Sequence, residues 1–236
     1  MIKFKDTKFW KNYAKYDKIV EQSSMRSTVD GLIYWKLLNH FQFNKFLEIG
    51  IYQGLTTGLF FEANSNATVD AVDPVDNLDL FRAHYPEYLG QLNFINKPFE
   101  STDVVFSKKY DFILVDGNHR YEHAMHDINK VLPLMDQTTV LAIDDYRHPG
   151  VSRALLELST QLTDWVPFLR AEQTEFWHHI SQDRGDFLDG LLIDPISKFI
   201  FIENILDNKN TICQARTVAA LTDQIDLFDQ CLHRYD

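Results

Sequence analysis

Short apolar runs alternate with longer amphipathic stretches through the middle of the chain. The apolar runs have the length of buried β-strands, and the stretches between them are long enough to form helices. Five strands are predicted, at residues 45–50, 68–73, 92–95, 110–116 and 139–144. This alternation predicts an α/β fold of the Rossmann-like, doubly wound type, in which helices cover both faces of a mainly parallel sheet.

The last third of the chain is less regular but contains two further apolar runs. Residues 165–169 and 198–203 are predicted to form an antiparallel hairpin at one edge, which completes a seven-stranded sheet. Residues 178–195 would then be an insertion between these two strands, placed to contact a substrate.

The N-terminal 40 residues are predicted to form a helical cap on a core that spans residues 41–236. A helix is expected from Val29 to about His40, after a cap at Ser27 or Thr28. The aromatic residues before it follow helical spacing, and this segment either packs on the domain or covers a binding site. No linker rich in glycine, proline or serine interrupts the chain, so a single domain over residues 1–236 is predicted.

Composition narrows the classes of partner. The 236 residues carry a formal net charge of −11, which repels phosphate backbones and anionic lipids and disfavours nucleic acid or membrane partners. The two cysteines, Cys213 and Cys231, lack the spacing of a metal site, and no signal peptide or membrane-spanning run is visible. A cytoplasmic protein is therefore expected, with its oligomeric state open, a homo-oligomer included.

The end of the first predicted strand has the composition of a cofactor-binding turn. Gly50 allows a tight turn, and Gly54 allows close packing of the following helix. A dinucleotide site would need glycines where this chain has Tyr52 and Leu55, so an NAD site is disfavoured. Asp73, at the tip of the second strand, is placed to accept both hydroxyls of a ribose. The pattern favours a nucleoside ligand that lacks a pyrophosphate.

Four segments resemble the successive motifs of class I S-adenosylmethionine-dependent methyltransferases (EC 2.1.1.-). They are FLEIGIYQGLTT, VDAVDP, YDFILVDGNHRYEHAMHDINKVLPLM and VLAIDDY. The third segment resembles in particular the small-molecule O-methyltransferases that include macrolide-sugar O-methyltransferases. Tyr52 departs from the family pattern, because many members of the family have glycine at this position.

The resemblance implies a set of cofactor contacts. Glu48 and Gly50 would lie beside the methionine part of the cofactor, and Asp73 would hold the ribose. Phe99, Glu100 or Ser101 would border the adenine. The implied cofactor-binding positions are Glu48, Gly50, Tyr52, Gly54, Asp73, Phe99, Ser101 and Asp116.

Three aspartates end two neighbouring strands of the predicted sheet. Asp116 follows the fourth strand, and Asp144 and Asp145 follow the fifth, so their carboxylates should converge. Oxygen ligands favour Mg²⁺, Mn²⁺ or Ca²⁺. Side chains alternate along a regular strand, so joint ligation requires the strand to break between Asp144 and Asp145. The resemblance implies that all three bind Mg²⁺; the alternatives are a helix cap or an acidic surface.

His119 is the candidate general base. It lies three residues beyond Asp116, histidine side chains in general can exchange a proton near neutral pH, and the resemblance places a base at this position. The alternative is a hydrogen bond that only orients the loop. His123 and His126 continue at helical spacing, but a transition-metal trio is disfavoured because no fourth ligand is evident.

The predicted function is S-adenosylmethionine-dependent O-methylation of a hydroxylated small molecule, such as a sugar or a glycosylated metabolite, with a divalent metal. Two alternatives remain open at this point. One is a metal-independent methyltransferase, and the other is a non-catalytic nucleoside-binding protein of the same fold.

Overall fold

The computed structural model describes residues 6–13, 28–170 and 173–182. The strands in this part of the chain are β1 Lys45–Ile49, β2 Thr68–Val72, β3 Leu92–Ile95, β4 Phe112–Val115, β5 Val140–Ile143, β6 Trp165–Arg170 and β7 Glu175–His179. The helices are α1 Lys8–Tyr13, α2 Thr28–Phe41, α3 Leu55–Ala63, α4 Asp79–His84, α5 Tyr121–Val131 and α6 Pro149–Gln161, with 3₁₀ turns at Pro86–Tyr88 and Leu132–Leu134. The five central strands and the helix before them are at the predicted positions.

The seven strands form one sheet in the order β3-β2-β1-β4-β5-β7-β6. The first five strands in this order are mutually parallel, and β7 pairs antiparallel with both β5 and β6. The predicted Rossmann-like sheet with an antiparallel edge hairpin is confirmed. Strand order reverses between β1 and β4, and this is where ligands bind in open parallel sheets.

The second strand of the hairpin differs from the prediction. It is Glu175–His179 rather than residues 198–203, which lie outside the described residues, as do residues 183–195. His178 and His179 are therefore strand residues and not the start of an insertion. Only Phe176 and Trp177 are strongly apolar in β7, and each is buried on a different face of the sheet. This short apolar run is flanked by Glu175 and two histidines. It therefore lacks the alternation of apolar and polar residues that marks a half-exposed strand.

The sheet is buried on both faces. On β1, Phe46 belongs to one apolar cluster and Leu47 to the other, and Phe112 and Ile113 alternate in the same way on β4. Helices α2, α3 and α4 contribute to the first cluster, and α5 and α6 to the second. This double coverage explains why the central strands are continuous apolar runs. No helix in the described part of the chain combines the length and apolar character needed to span a bilayer.

The first helix docks on the far end of α3. The Glu62 carboxylate accepts the backbone N–H of Lys8 at 2.5 Å and of Phe9 at 3.3 Å, and Lys8 Nζ donates to the His84 carbonyl at 2.9 Å. Phe9 is fully buried. Glu62 lies seven residues into α3, about 10 Å along the helix from the turn that follows β1. Residues 6–13 thus pack away from the carboxyl edge of the sheet.

A substitution at Gly50 tests how tightly the turn after β1 packs against β4. We predict that Gly50→Ala lowers the free energy of unfolding by more than about 2 kcal/mol, because the residue has a φ of 88° and its Cβ would lie 2.0 Å from the Asp116 carbonyl oxygen. Urea unfolding measures the change. Gly90→Ala is the control, since its Cβ meets no atom within 4 Å. Equal stability of the two variants would contradict this account of the turn.

Candidate functional site

The turn after β1 is built from three residues in the left-handed region. Gly50, Tyr52 and Gly54 have φ values of 88°, 47° and 74°. The Tyr52 N–H donates to Asp73 Oδ2 at 3.0 Å, and the Val75 N–H donates to Asp73 Oδ1 at 2.8 Å. Asp73 thus holds the turn in place while each oxygen keeps a further lone pair for a ligand. The structure brings together Gly50, Tyr52, Gly54 and Asp73 as the sequence predicted.

Glu48 lies behind this turn and is buried. The hydroxyl of Thr57, in the first turns of α3, donates a hydrogen bond to Glu48 Oε2. Burial raises the pKa of Glu48 well above its usual value; the Thr57 hydrogen bond opposes this rise, and the charges of Asp116 and Asp73 add to it. These three carboxylates therefore act on one another at the carboxyl edge of the sheet. Thr57 was missed in the sequence, although it lies three residues after Gly54, one turn along the helix.

The three residues proposed to border an adenine have different environments. Phe99 is buried, and Lys130 Nζ lies 4.4 Å from its ring centroid. Lys130 also donates to the carbonyl oxygens of Phe99 and Ser101, the latter at 3.3 Å. Glu100 is exposed and pairs with His123 Nδ1 at 2.5 Å. Lys130 therefore fixes the backbone of this segment, a role that its sequence position did not reveal.

Asp116, His119 and Asp145 come together at the ends of β4 and β5. Each offers one ligand atom, and these atoms all lie within 4.8 Å of one another. His119 Nε2 is 3.1 Å from Asp145 Oδ2 and 4.0 Å from Asp116 Oδ1. The Val115–Ile143 pairing of the two strands places the carboxylates side by side. Asp145 has a φ of 49°. The regular strand conformation therefore does not continue from Asp144 to Asp145, as joint ligation by the three aspartates requires.

Asp144 lies deeper than these three residues. It is 2% exposed, and it lines a small pocket together with Asp116, His119 and Asp127. Thr174 donates to its Oδ1 at 2.5 Å, whereas its buried Oδ2 has no hydrogen-bond partner among the described residues. Burial raises the pKa of Asp144 well above its usual value, the charge of Asp116 adds to the rise, and the Thr174 hydrogen bond opposes it. The structure thus adds His119 to the predicted aspartate set and places Asp144 behind it.

The loop that carries His119 is held between α5 and α6. A Cβ on Gly150 would lie 2.2 Å from the His119 carbonyl oxygen, and one on Gly117 would lie 2.6 Å from Asp127 Oδ2. The His148 ring lies 5.3 Å from that of His119. Such close approaches fix the direction of the His119 side chain relative to the strand ends.

His123 and His126, which lie on α5, have partners of their own. His123 pairs with Glu100, and His126 Nδ1 lies 3.3 Å from Asp127 Oδ1. Within the described residues, neither joins the cluster around His119.

Comparisons with known proteins agree with the observed fold. Residues 47–146 match a family model described as a methyltransferase domain. Comparison with curated proteins gave no significant match. The SAH-bound methyltransferase PaMTH1 of Podospora anserina is 16% identical with a TM-score of 0.57, over 74% of this chain and 86% of that one. An O-methyltransferase of Bacillus cereus in complex with SAH is 15% identical with a TM-score of 0.51, over 64% and 79% of the two chains.

The matched segment begins in β1 and ends just beyond Asp145, so it contains the turn, both strand ends and the His119 loop. Residues 47–146 are therefore similar to a methyltransferase domain, and the solved methyltransferases share the fold of this chain.

Asp127 makes the stability of the folded protein depend on pH. Burial raises the pKa of Asp127 from 3.8 to about 6, and the hydrogen bond with His126 opposes the rise. The folded protein binds this proton more tightly than the unfolded chain. Protonation of Asp127 therefore stabilises the fold fully below about pH 4, and this stabilisation is lost as pH rises through about 6.

We predict that Asp127→Asn removes this loss. Between pH 4 and pH 7.5, the unfolding free energy of the variant relative to wild type should rise by about 2–3 kcal/mol. Urea unfolding at a series of pH values measures the difference. Parallel stability curves for the two proteins would contradict a raised pKa at Asp127.

Proposed function

We propose that this methyltransferase transfers the methyl group of S-adenosylmethionine to a hydroxyl oxygen of a small acceptor, with the help of a divalent cation. The observation that carries the proposal is the convergence of Asp116, His119 and Asp145 beside the Gly50 turn. This places a candidate base and candidate cation ligands next to the place where a Rossmann-like sheet binds its ligand.

The turn after β1 fits the cofactor. Gly50 has no side chain at the point where β1 and β4 meet, and any Cβ there would fill the space against Asp116. Asp73 offers its remaining lone pairs to the ribose hydroxyls, and Glu48 offers a buried carboxylate on the methionine side. Tyr52 and Gly54 shape the turn, and Phe99 and Ser101 border the adenine. The carboxylates near this turn suit a positively charged sulfonium.

The strand ends fit a cation that prefers oxygen ligands. Asp116 and Asp145 would hold it, together with the Oδ2 of Asp144, which has no hydrogen-bond partner in the described part of the chain. This donor set favours Mg²⁺, with Mn²⁺ or Ca²⁺ as substitutes. Such a cation lowers the pKa of a bound hydroxyl.

His119 accepts the acceptor's proton in this scheme. Its Nε2 lies 3.1 Å from Asp145 Oδ2, so the imidazole lies beside a candidate cation ligand. S-adenosylmethionine would supply the methyl group to the acceptor oxygen as its sulfur–methyl bond breaks, and the His119 imidazole would take the hydroxyl proton. The negative charges of Asp145 and Asp116 stabilise the imidazolium.

The acceptor is proposed to be a hydroxylated small molecule such as a sugar or a glycosylated metabolite. The net charge of −11 argues against nucleic acid or anionic membrane as a partner. Tyr146, which directly follows Asp145, is partly exposed and offers aromatic surface. A cytoplasmic location remains our expectation, and a homo-oligomer remains open.

We predict that His119→Ala and Asp145→Asn each lower methyl transfer at least about 100-fold, because one removes the base and the other removes a cation ligand. Labelled S-adenosylmethionine with a panel of hydroxylated acceptors measures transfer, and calorimetry measures Mg²⁺ affinity. His119→Ala should retain Mg²⁺ binding, whereas Asp145→Asn should lose it.

Three outcomes would change the proposal. Full activity after exhaustive chelation would favour the metal-independent enzyme, since the His119–Asp145 pair can accept a proton without a cation. Loss of Mg²⁺ binding in His119→Ala would make His119 a ligand rather than the base. Normal activity of both variants would contradict the mechanism.

A further inference from the structure

We propose that Thr174 is a positioning residue, which holds Asp144 so that one carboxylate oxygen remains directed to the cation site. This inference rests on the proposed function. Thr174 lies directly before the hairpin's second strand, outside every motif that pointed to the site. What connects it to the site is a chain of buried hydrogen bonds.

The chain of hydrogen bonds runs from α2 to the end of β5. The Tyr34 hydroxyl lies 3.2 Å from Thr174 Oγ1, and Thr174 Oγ1 lies 2.5 Å from Asp144 Oδ1. Tyr34 and Thr174 are fully buried, and Asp144 is 2% exposed. A threonine hydroxyl has one hydrogen to donate. Because Thr174 donates to the carboxylate, the Tyr34 hydroxyl is the donor in the first link, and the chain has a single direction.

The backbone brings the two ends of this chain together. Strands β5 and β7 pair antiparallel, with Ile143 opposite Glu175. Asp144 follows β5 and Thr174 precedes β7, so the two side chains start from facing positions beyond this pair. On the other side, the Tyr34 ring packs edge-to-face on Phe176 of β7, with the centroids 5.3 Å apart. The position of the Thr174 hydroxyl is therefore set by the packed sheet and by α2.

The consequence concerns the second oxygen of Asp144. Oδ1 is held by Thr174, while Oδ2 is buried and has no hydrogen-bond partner among the described residues. Leaving a buried acceptor without a partner is unfavourable, and a ligand at that atom would offset this cost. Asp144 lines the same pocket as Asp116 and His119. Thr174 thus determines which oxygen of Asp144 is left for a ligand in that pocket.

The experiment compares Thr174→Val with Thr174→Ser. Valine keeps the volume and loses the hydroxyl, whereas serine keeps the hydroxyl. Thr139→Val is the matched control, because Thr139 is also fully buried and donates to the Tyr110 carbonyl at 2.7 Å, at the opposite end of β5. Calorimetric titration with MgCl₂ measures affinity without any acceptor, and kcat and KM are measured with labelled S-adenosylmethionine.

We expect Thr174→Val to weaken Mg²⁺ binding and lower kcat by about 10–100-fold, with KM for S-adenosylmethionine nearly unchanged. Thr174→Ser should restore both values to within a few-fold of wild type. Thr139→Val should lose comparable stability in urea without a change in Mg²⁺ affinity. A smaller loss of affinity is expected for Tyr34→Phe, which removes only the outer link.

Two results would overturn the inference. Wild-type Mg²⁺ affinity and kcat in Thr174→Val would remove the positioning role and leave the proposed function intact. Equal losses in Thr174→Val and Thr139→Val would show a general effect of destabilisation. If wild type itself neither binds Mg²⁺ nor transfers methyl groups, the proposed function fails and the inference fails with it.

Discussion

The contact between Gly50 and the Asp116 carbonyl oxygen determines how the rest of the site is arranged. The turn after β1 approaches the end of β4 so closely that a single added carbon would lie 2.0 Å from that oxygen. The turn and the Asp116 carboxylate are therefore brought side by side at the point where strand order reverses. Since β4 pairs with β5, the same contact also fixes the distance from the turn to Asp144 and Asp145.

Accumulated negative charge is the second constraint on this edge of the sheet. Five carboxylates lie at the ends of four strands: Glu48, Asp73, Asp116, Asp144 and Asp145. Burial and mutual repulsion raise the pKa of the two most buried, Glu48 and Asp144. An edge of this kind is stabilised by positive ligands, and the proposed pair, a sulfonium and a divalent cation, supplies that charge. His119 adds an imidazole to this edge, the group proposed to take the acceptor's proton.

The elements that could be predicted from the sequence are those whose burial leaves a clear apolar pattern. The five parallel strands are continuous apolar runs because both faces are covered, and the acidic residues at their ends mark the edge where ligands bind. The hairpin strand β7 was missed because only Phe176 and Trp177 carry its pattern. Thr174 was missed for a related reason, since its partner Asp144 is distant in sequence and adjacent only through the pairing of β5 with β7. The place of His119 beside Asp145 likewise depends on the close approach of Gly150.

The most direct test of the account is a calorimetric titration of the protein with S-adenosylmethionine, for wild type and for Asp73→Asn. The asparagine keeps an acceptor for the Tyr52 N–H but loses the charge that strengthens the bond to a ribose hydroxyl. The account predicts binding to wild type and an affinity about 10–100-fold weaker in the variant. No binding to wild type, or equal binding to both proteins, would contradict the assignment of the turn after β1 as the cofactor site.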